Sequence, residues 1–406
     1  MKKVAYMLDV FPVISETFIL NEILELKKRG MKIIIFACHK SDFTPHKPLI
    51  YPEAEELVRE TIYLDSVSMK MSRLQKAALH FSILLRHPVR YLRTLLFTYR
   101  KGGQTFTAFK AISSFVREMK GRKIEHVHAH FAREACEFSM LISMVTGIPY
   151  SFSTHAFDIY TRDAIDMLDH IHRAIFVVTC TAYNQRYLIR KYGEPAQKKV
   201  YLNYHGVDPR KFILSEQKSN SRISILSIGR LVEKKGFPYL IEAISLVKDT
   251  LDLDFIVTIV GDGPERKNLE QLVADLNLES WIVFKEFGPT GEIKEQYGQA
   301  DIFVLPCIVA DNGDQDGIPN VILEAMSMGL PVISTNISGI PEVICDGVDG
   351  LLMRPNDSQA LASAIVKLCQ DTQLRKKLGE NARKKITVHF NKADQIDKLF
   401  KFFNPK

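Results

Sequence analysis

The stretch LSIGRLVEKKGFPYLIEAI, residues 226–244, decides the fold class. It opens as an apolar run of strand length that ends at Gly229, and it closes as a segment at helical spacing that starts near Gly236. Strand, tight turn and helix in this order make half of a βαβ unit. A turn at the carboxyl end of a parallel strand faces the ligand crevice of its sheet. Glycine at Gly229 lets the backbone approach a ligand closely. Arg230 offers a fork of donors and Lys235 a compact charge, a pair suited to a diphosphate. A solvated basic turn would look the same in isolation, so the rest of the chain has to support the reading.

The same alternation runs outward in both directions. Apolar runs occur at 3–8, 31–37, 175–179, 223–228, 255–260, 301–305 and 331–334, and helical spacing follows at 16–29, 236–248, 264–276 and 319–328. Near-continuous apolar strands with crossover helices indicate parallel sheets covered on both faces. With 406 residues, the chain exceeds one ordinary core. The expected fold class is α/β, with two Rossmann-like, doubly wound parallel-sheet domains facing a cleft. The polar, aperiodic SEQKSNS at 215–221 marks the boundary. The expected units are 1–208 on the acceptor side, 221–390 for the nucleotide, and a last helix, 391–406, whose apolar residues could return to the first domain.

Composition narrows the class. Hydrophobic residues make up 46% and charged residues 25%, which reads as a globular protein rather than a disordered chain. Six scattered cysteines (38, 136, 180, 307, 345, 369) form no C-x-x-C pair, so neither a disulfide framework nor a cysteine-based zinc site is expected, and a reducing compartment fits. Asp9 interrupts the first apolar run, MKKVAYMLDVF, which reads as a buried strand rather than a signal peptide. No run of 18 apolar residues is present, so nothing is expected to span a membrane.

Residues 66–123 break the α/β pattern. They hold thirteen Lys or Arg and one acid, Glu118. Met71, Leu74, Ala78, Phe81 and Leu85 lie near helical spacing, and a second piece from Pro88 carries Arg90, Arg93 and Arg100 beside Tyr91, Leu95, Leu96 and Phe97. Basic amphipathic helices suit an anionic membrane surface. A pair of solvated helices capping the first sheet is the plainer alternative. No nucleic-acid-binding module accompanies the charge, so nucleic acid is not an expected partner.

The second chemical stretch is VLPCIVADNGDQDGIPNVILEAMSMGLPVIST at 304–335. A buried strand leads into an acidic loop and then a helix, with Pro319 at its first position and Gly329 past its end. Asp316 precedes the helix and Glu324 lies on it. Two carboxylates so placed can accept hydrogen bonds from one polyhydroxylated ligand. Amides around Ile318 and Asn320 present the positive helix end to phosphate or sugar. In the first half, FPVISETFI at 11–19 offers Ser15 as a helix cap, and THAFDIY at 154–160 places His155 and Asp158 in a strand-end loop.

These motifs carry a resemblance that covers nearly the whole chain. G-R-L-x-x-x-K-G at 229–236, V-G-D-G-P at 260–264, G-I-P-x-x-x-x-E-A-M at 317–326, S-G-I-P-E at 338–342 and D-G-x-x-G at 346–350 together resemble the GT-B glycosyltransferases of family 4. Within that retaining group the chain is most similar to bacterial enzymes of exopolysaccharide and lipopolysaccharide synthesis, the colanic-acid type. The resemblance implies that Arg230 and Lys235 hold the donor diphosphate and that Glu324 binds the ribose hydroxyls. It places Asp316, where the family has Glu, near the donor sugar, and His155 beside the anomeric carbon, with Ala156 replacing the family's Gly. Ser15, Gly229, Gly261, Gly263 and the segment Gly317–Asn320 complete the implied donor contacts.

The implied reaction is retaining transfer of a hexose-type sugar from a UDP- or GDP-sugar to a lipid-linked or growing saccharide, without a metal or other cofactor. The leaving phosphate oxygen takes the acceptor proton, so no protein base is needed. The implied location is cytoplasmic, peripheral on the inner face of the plasma membrane. Two metal-like patterns are set aside: His126, His128 and His130 on one strand face, and Asp314-Gln315-Asp316 as D-x-D. A GT-B nucleotide-sugar epimerase and a non-catalytic nucleotide-sugar binder stand as the rival readings.

Overall fold

The computed structural model describes residues 2–13, 16–41, 52–69, 71–161, 167–212, 222–248, 254–288 and 290–404. The first sheet contains β1 (Lys3–Phe11), β2 (Lys32–Lys40), β3 (Ile62–Tyr63), β4 (His126–His130), β5 (Tyr150–Thr154), β6 (Val177–Thr179) and β7 (Val200–Leu202). The second contains β8 (Ile223–Ile228), β9 (Phe255–Val260), β10 (Ile282–Lys285), β11 (Ile302–Leu305), β12 (Val332–Thr335) and β13 (Leu351–Met353). Their orders are β3-β2-β1-β4-β5-β6-β7 and β10-β9-β8-β11-β12-β13, and the paired strands run parallel throughout. Each order reverses once, between β1 and β4 and between β8 and β11. A doubly wound sheet opens its ligand crevice beyond the strand ends at that point.

The strands are buried on both faces, as the apolar runs predict. In β1, Val4 to Leu8 are buried without a break. The helix Phe237–Val247 shows how one crossover is set. Gly236 adopts φ 68, Pro238 sits in the first turn, and Phe237, Leu240, Ile241, Ile244 and Val247 are buried. Burying each of these side chains contributes about 1.5–3 kcal/mol relative to exposure. A side chain at position 236 would bring its Cβ within 2.0 Å of the Pro306 carbonyl oxygen, so only glycine lets this turn lie against the loop after β11.

One apolar cluster fills the second domain and two cover the faces of the first sheet. The last helix, Lys392–Phe403, lies on the first domain: Ile396, Leu399 and Phe403 join Tyr6, Ile23 and Phe176 in one cluster. The chain therefore crosses between domains twice. The crossings are pinned together, since Val207 N donates to Phe390 O at 3.0 Å and Lys392 N to Val207 O at 3.0 Å.

The basic insertion carries three long helices, Arg73–Arg86, Pro88–Lys101 and Gly103–Gly121, after the short helix Leu64–Met69. The third was not anticipated; its buried Phe109, Ile112, Phe115 and Met119 make it the one that packs on the sheet. The apolar stripe of the first helix points outward. Leu74, Phe81 and Leu85 are 83%, 59% and 67% exposed, and Val89, Leu92, Leu96 and Tyr99 continue the exposed apolar face along the second helix. No helix among the described residues is long and apolar enough to cross a membrane.

Candidate active site

A cavity of about 2970 Å³ opens between the two sheets and is lined from both. Single-ligand pockets are commonly about 300–1,000 Å³, so this space can hold two substrates. From the second domain it is lined by Gly229, Arg230 and Lys235 after β8, and by Asp316, Gly317, Ile318, Pro319, Asn320 and Glu324 after β11. From the first it is lined by His155 after β5 and by Glu16 after β1. Two expectations change here. Gly261 and Gly263 do not line the cavity; Asp262 between them does. A Cβ on Gly261 would meet the Gly229 carbonyl oxygen at 1.9 Å, and one on Gly263 the Leu231 oxygen at 2.3 Å. These glycines let the β9 turn nest behind the β8 turn. Ser15 lies outside the described residues, and the cap position of the helix Thr17–Lys28 falls to Glu16, which makes no side-chain capping bond.

The acidic loop is tied to the basic turn. Lys235 Nζ donates to Asp316 Oδ2 at 2.6 Å, and Lys234 Nζ lies 3.0 Å from Asp314 and 3.5 Å from Asp316. Burial alone would raise the Asp316 carboxyl, but Lys235 and then Lys234 override it and hold it below the ordinary carboxylate range. Burial likewise opposes the Lys235 charge, and Asp316 restores it. Lys235 and Asp316, read from the sequence as separate ligands of diphosphate and sugar, are thus one ion pair inside a four-charge cluster of balanced sign. Arg230 is exposed to the cleft and makes no ion pair among the described residues. The helix Asn320–Ser327 starts one residue later than expected, with Pro319 as its cap residue and no side-chain cap. Its first amides are left for a ligand.

Glu324 Oε2 accepts a hydrogen bond from the Tyr297 hydroxyl at 2.9 Å. Burial pushes the Glu324 carboxyl up to about 7. Tyr297 carried no sequence signal, since its role depends on where the helix Thr290–Gln299 packs.

On the first domain, His155 is buried at the start of the short helix Ala156–Tyr160. Asp158 fixes this turn: its carboxylate accepts from His155 N at 2.7 Å, Ala132 N at 2.7 Å and Thr154 Oγ1 at 2.6 Å. Burial, with His205 and His130 nearby, keeps the His155 imidazole well below its usual pKa and hence neutral. The three alternating histidines form a hydrogen-bonded ladder. Ser151 Oγ bonds His126 at 2.7 Å and His128 at 2.8 Å, and His130 pairs with Glu22 at 3.0 Å. His130 Nδ1 lies 3.4 Å from His155 Nε2, so the ladder ends behind His155.

The domains also touch directly. Glu342, in the S-G-I-P-E stretch, accepts from Ala182 N at 2.8 Å and Tyr183 N at 2.6 Å, at the start of the helix Ala182–Tyr192. A carboxylate on a helix N-terminus is doubly favoured, by charge-assisted bonds and by the helix dipole. Gly339 makes room for this contact, because a Cβ there would come within 2.5 Å of Thr181 Cγ2. Glu342→Ala leaves two amides unpaired at the interface, at roughly 1.5–3 kcal/mol. It is expected to raise the donor KM about tenfold or more and to increase the radius of gyration in small-angle scattering. Unchanged values of both would exclude a role in holding the cleft together.

Comparison with known proteins places this geometry. Residues 15–211 match the family described as Glycosyltransferase Family 4, and residues 209–385 match Glycosyl transferases group 1. The amylovoran biosynthesis glycosyltransferase AmsK of Erwinia amylovora is 30% identical over 96% of both chains. A UDP-Gal:alpha-D-GlcNAc-diphosphoundecaprenol alpha-1,3-galactosyltransferase of Escherichia coli is 28% identical over 71% of this chain and 78% of its own. Among solved structures, Anabaena Alr3699/HepE in complex with UDP superposes over the full length of both chains with a TM-score of 0.73 at 17% identity, a likeness of fold.

Proposed function

The chain belongs to the GT-B glycosyltransferases of exopolysaccharide synthesis, and from that premise we propose that it transfers a hexose-type sugar, with retention, from a UDP- or GDP-sugar to a lipid-linked saccharide. The observation that carries this reading is the meeting of Arg230, the Lys235–Asp316 pair, Glu324, the open start of Asn320–Ser327 and His155 in one cleft. In the proposed arrangement Glu324 accepts the ribose hydroxyls. Arg230 and the helix amides receive the diphosphate as its charge grows, a form of electrostatic preorganisation. Asp316 balances Lys234 and Lys235 and remains beside the sugar as an acceptor for its hydroxyls. Neutral His155 donates or accepts one hydrogen bond at the sugar without adding charge. The leaving phosphate oxygen takes the acceptor proton, so the reaction needs no protein base. The AmsK likeness supports a role in polysaccharide assembly, the E. coli relative supports a lipid-linked acceptor, and the HepE complex supports a uridine nucleotide in this fold.

The test is nucleoside diphosphate release from a panel of UDP- and GDP-sugars, with EDTA present and an undecaprenyl-diphosphate-linked sugar as acceptor. Release from one donor, lost in Arg230→Ala and Glu324→Ala, is expected. Donor binding without release under any acceptor would overturn transfer in favour of a binder, and epimerised donor in the product would favour the epimerase.

The outward apolar stripe of the two basic helices supports docking on an anionic bilayer, where a lipid-linked acceptor resides. Each basic residue near such a surface contributes about 1 kcal/mol. Arg86→Ala with Arg93→Ala is therefore expected to weaken binding to phosphatidylglycerol vesicles roughly thirtyfold, and Leu92→Glu with Leu96→Glu to weaken it at every salt concentration. Binding that survives both pairs in vesicle sedimentation would rule this face out.

A further inference from the structure

We propose that His155, Cys180 and His205 form a site for a divalent transition metal of the zinc class, on the wall of the cleft, through which the metal inhibits the enzyme. One ligand atom from each residue lies within 4.8 Å of the other two. Two imidazoles and a thiolate suit zinc, which is usually held by four ligands, or by three where one position stays open. All three residues line the cavity, so an ion and its water have a way in.

The decisive feature is an unused lone pair. His155 Nε2 faces His130, while the buried Nδ1 has no hydrogen-bond partner among the described residues. A buried polar nitrogen without a partner costs about 1–3 kcal/mol, and a metal would remove that cost. The neighbouring side chains already orient the ligands, as outer-shell groups do in metal sites. His130 backs His155, Phe18 stacks on the His205 ring at 4.5 Å, and Asn184 Nδ2 donates towards Cys180 Sγ at 3.9 Å. Binding requires the Cys180 thiol to lose its proton to solvent as the sulfur–metal bond forms. Glu22, His128 and His130 also converge within 4.8 Å, but both His128 nitrogens are taken by Ser151 and Ser153. Glu22 already accepts from Tyr6 and pairs with His130.

The inhibition, unlike the binding, rests on the proposed placement of the donor sugar beside His155. There the ion would occupy space the sugar needs, raising the apparent donor KM and leaving kcat unchanged. Cobalt(II) is the probe for binding, because thiolate ligation gives a charge-transfer band in the near ultraviolet. The native protein is expected to bind one cobalt with that band, to release it to zinc, and to show a zinc-dependent rise in Tm. Cys180→Ser, nearly isosteric, is expected to lose the band and at least about tenfold in zinc affinity while keeping the metal-free Tm. No cobalt binding, cobalt bound without the band, or a band that persists in Cys180→Ser would each overturn the site. Donor turnover in EDTA is independent of all three, so failure here leaves the transferase reading standing.

Discussion

Arg230→Ala is expected to lower kcat by about 10²–10³ with every productive donor, the loss seen when one preorganised donor to a developing negative charge is removed. The charges around it explain why the effect falls on this residue. Lys234 and Lys235 are matched by Asp314 and Asp316, so the cluster adds little net field at the diphosphate. Arg230, exposed to the cleft and without an ion pair among the described residues, supplies its charge in full. The same freedom predicts a clean variant: no buried partner is orphaned, so Tm should stay within about 1–2 °C of the parent, as for other surface changes. Arg230→Lys should recover part of the rate, since a point charge replaces a two-pronged donor. Lys235→Ala should behave differently. It leaves Asp316 with the more distant Lys234, and breaking a buried pair costs roughly 3–5 kcal/mol at its most severe, so lost activity should come with lost stability. Single-turnover rates and thermal unfolding on the same preparations separate the two cases. An Arg230→Ala enzyme with parental kcat would place the diphosphate elsewhere.

The contrast between Arg230 and Lys235 shows what the sequence could carry. The strand–turn–helix pattern at 226–244 was legible because parallel strands buried on both faces need continuous apolar runs, and Gly236 has one conformational job. From this followed the turns at the carboxyl ends of the strands, and with them several of the loops that line the cleft. Pairing within the cleft was not legible. Lys235 and Asp316 lie 81 residues apart, and nothing in spacing tells a cation that meets its ligand from one that meets a carboxylate. Gly261 and Gly263 show the converse: a glycine needed for backbone nesting has the same spelling as one needed for ligand approach. The outward stripe at Leu74, Phe81 and Leu85 has helical periodicity, but periodicity reports a face and does not say whether protein or lipid covers it. Cys180 and His205 sit in loops after β6 and β7 with no motif between them. Their convergence on His155 is a product of sheet order alone.

Glu324 makes the last prediction, because its side chain combines recognition with a titration in the working range. Burial raises its carboxyl to about 7, and the Tyr297 hydrogen bond acts against that rise. The ionised form accepts from the ribose hydroxyls through charge-assisted bonds, which are roughly twice as strong as those to the neutral acid. Donor kcat/KM should therefore fall as pH drops below about 7, tending towards tenfold per pH unit. Glu324→Ala removes two charge-assisted hydrogen bonds of roughly 1.5–3 kcal/mol each, a loss of a hundredfold or more in kcat/KM above that pH. Glu324→Gln should flatten the profile, since the amide does not titrate. Stability supplies an independent sign. A carboxyl whose pKa is raised by folding favours the native state below its unfolded value near 4.5, and that contribution is lost as pH rises through about 7. Glu324→Gln should accordingly raise the Tm of the donor-free protein at pH 8 more than at pH 5. Adding the cognate nucleoside diphosphate should reverse the preference, stabilising the parent and not the variant at pH 8. A profile whose acid limb survives in Glu324→Gln would assign the titration to another group, and equal nucleotide stabilisation of parent and variant would remove Glu324 from the ribose.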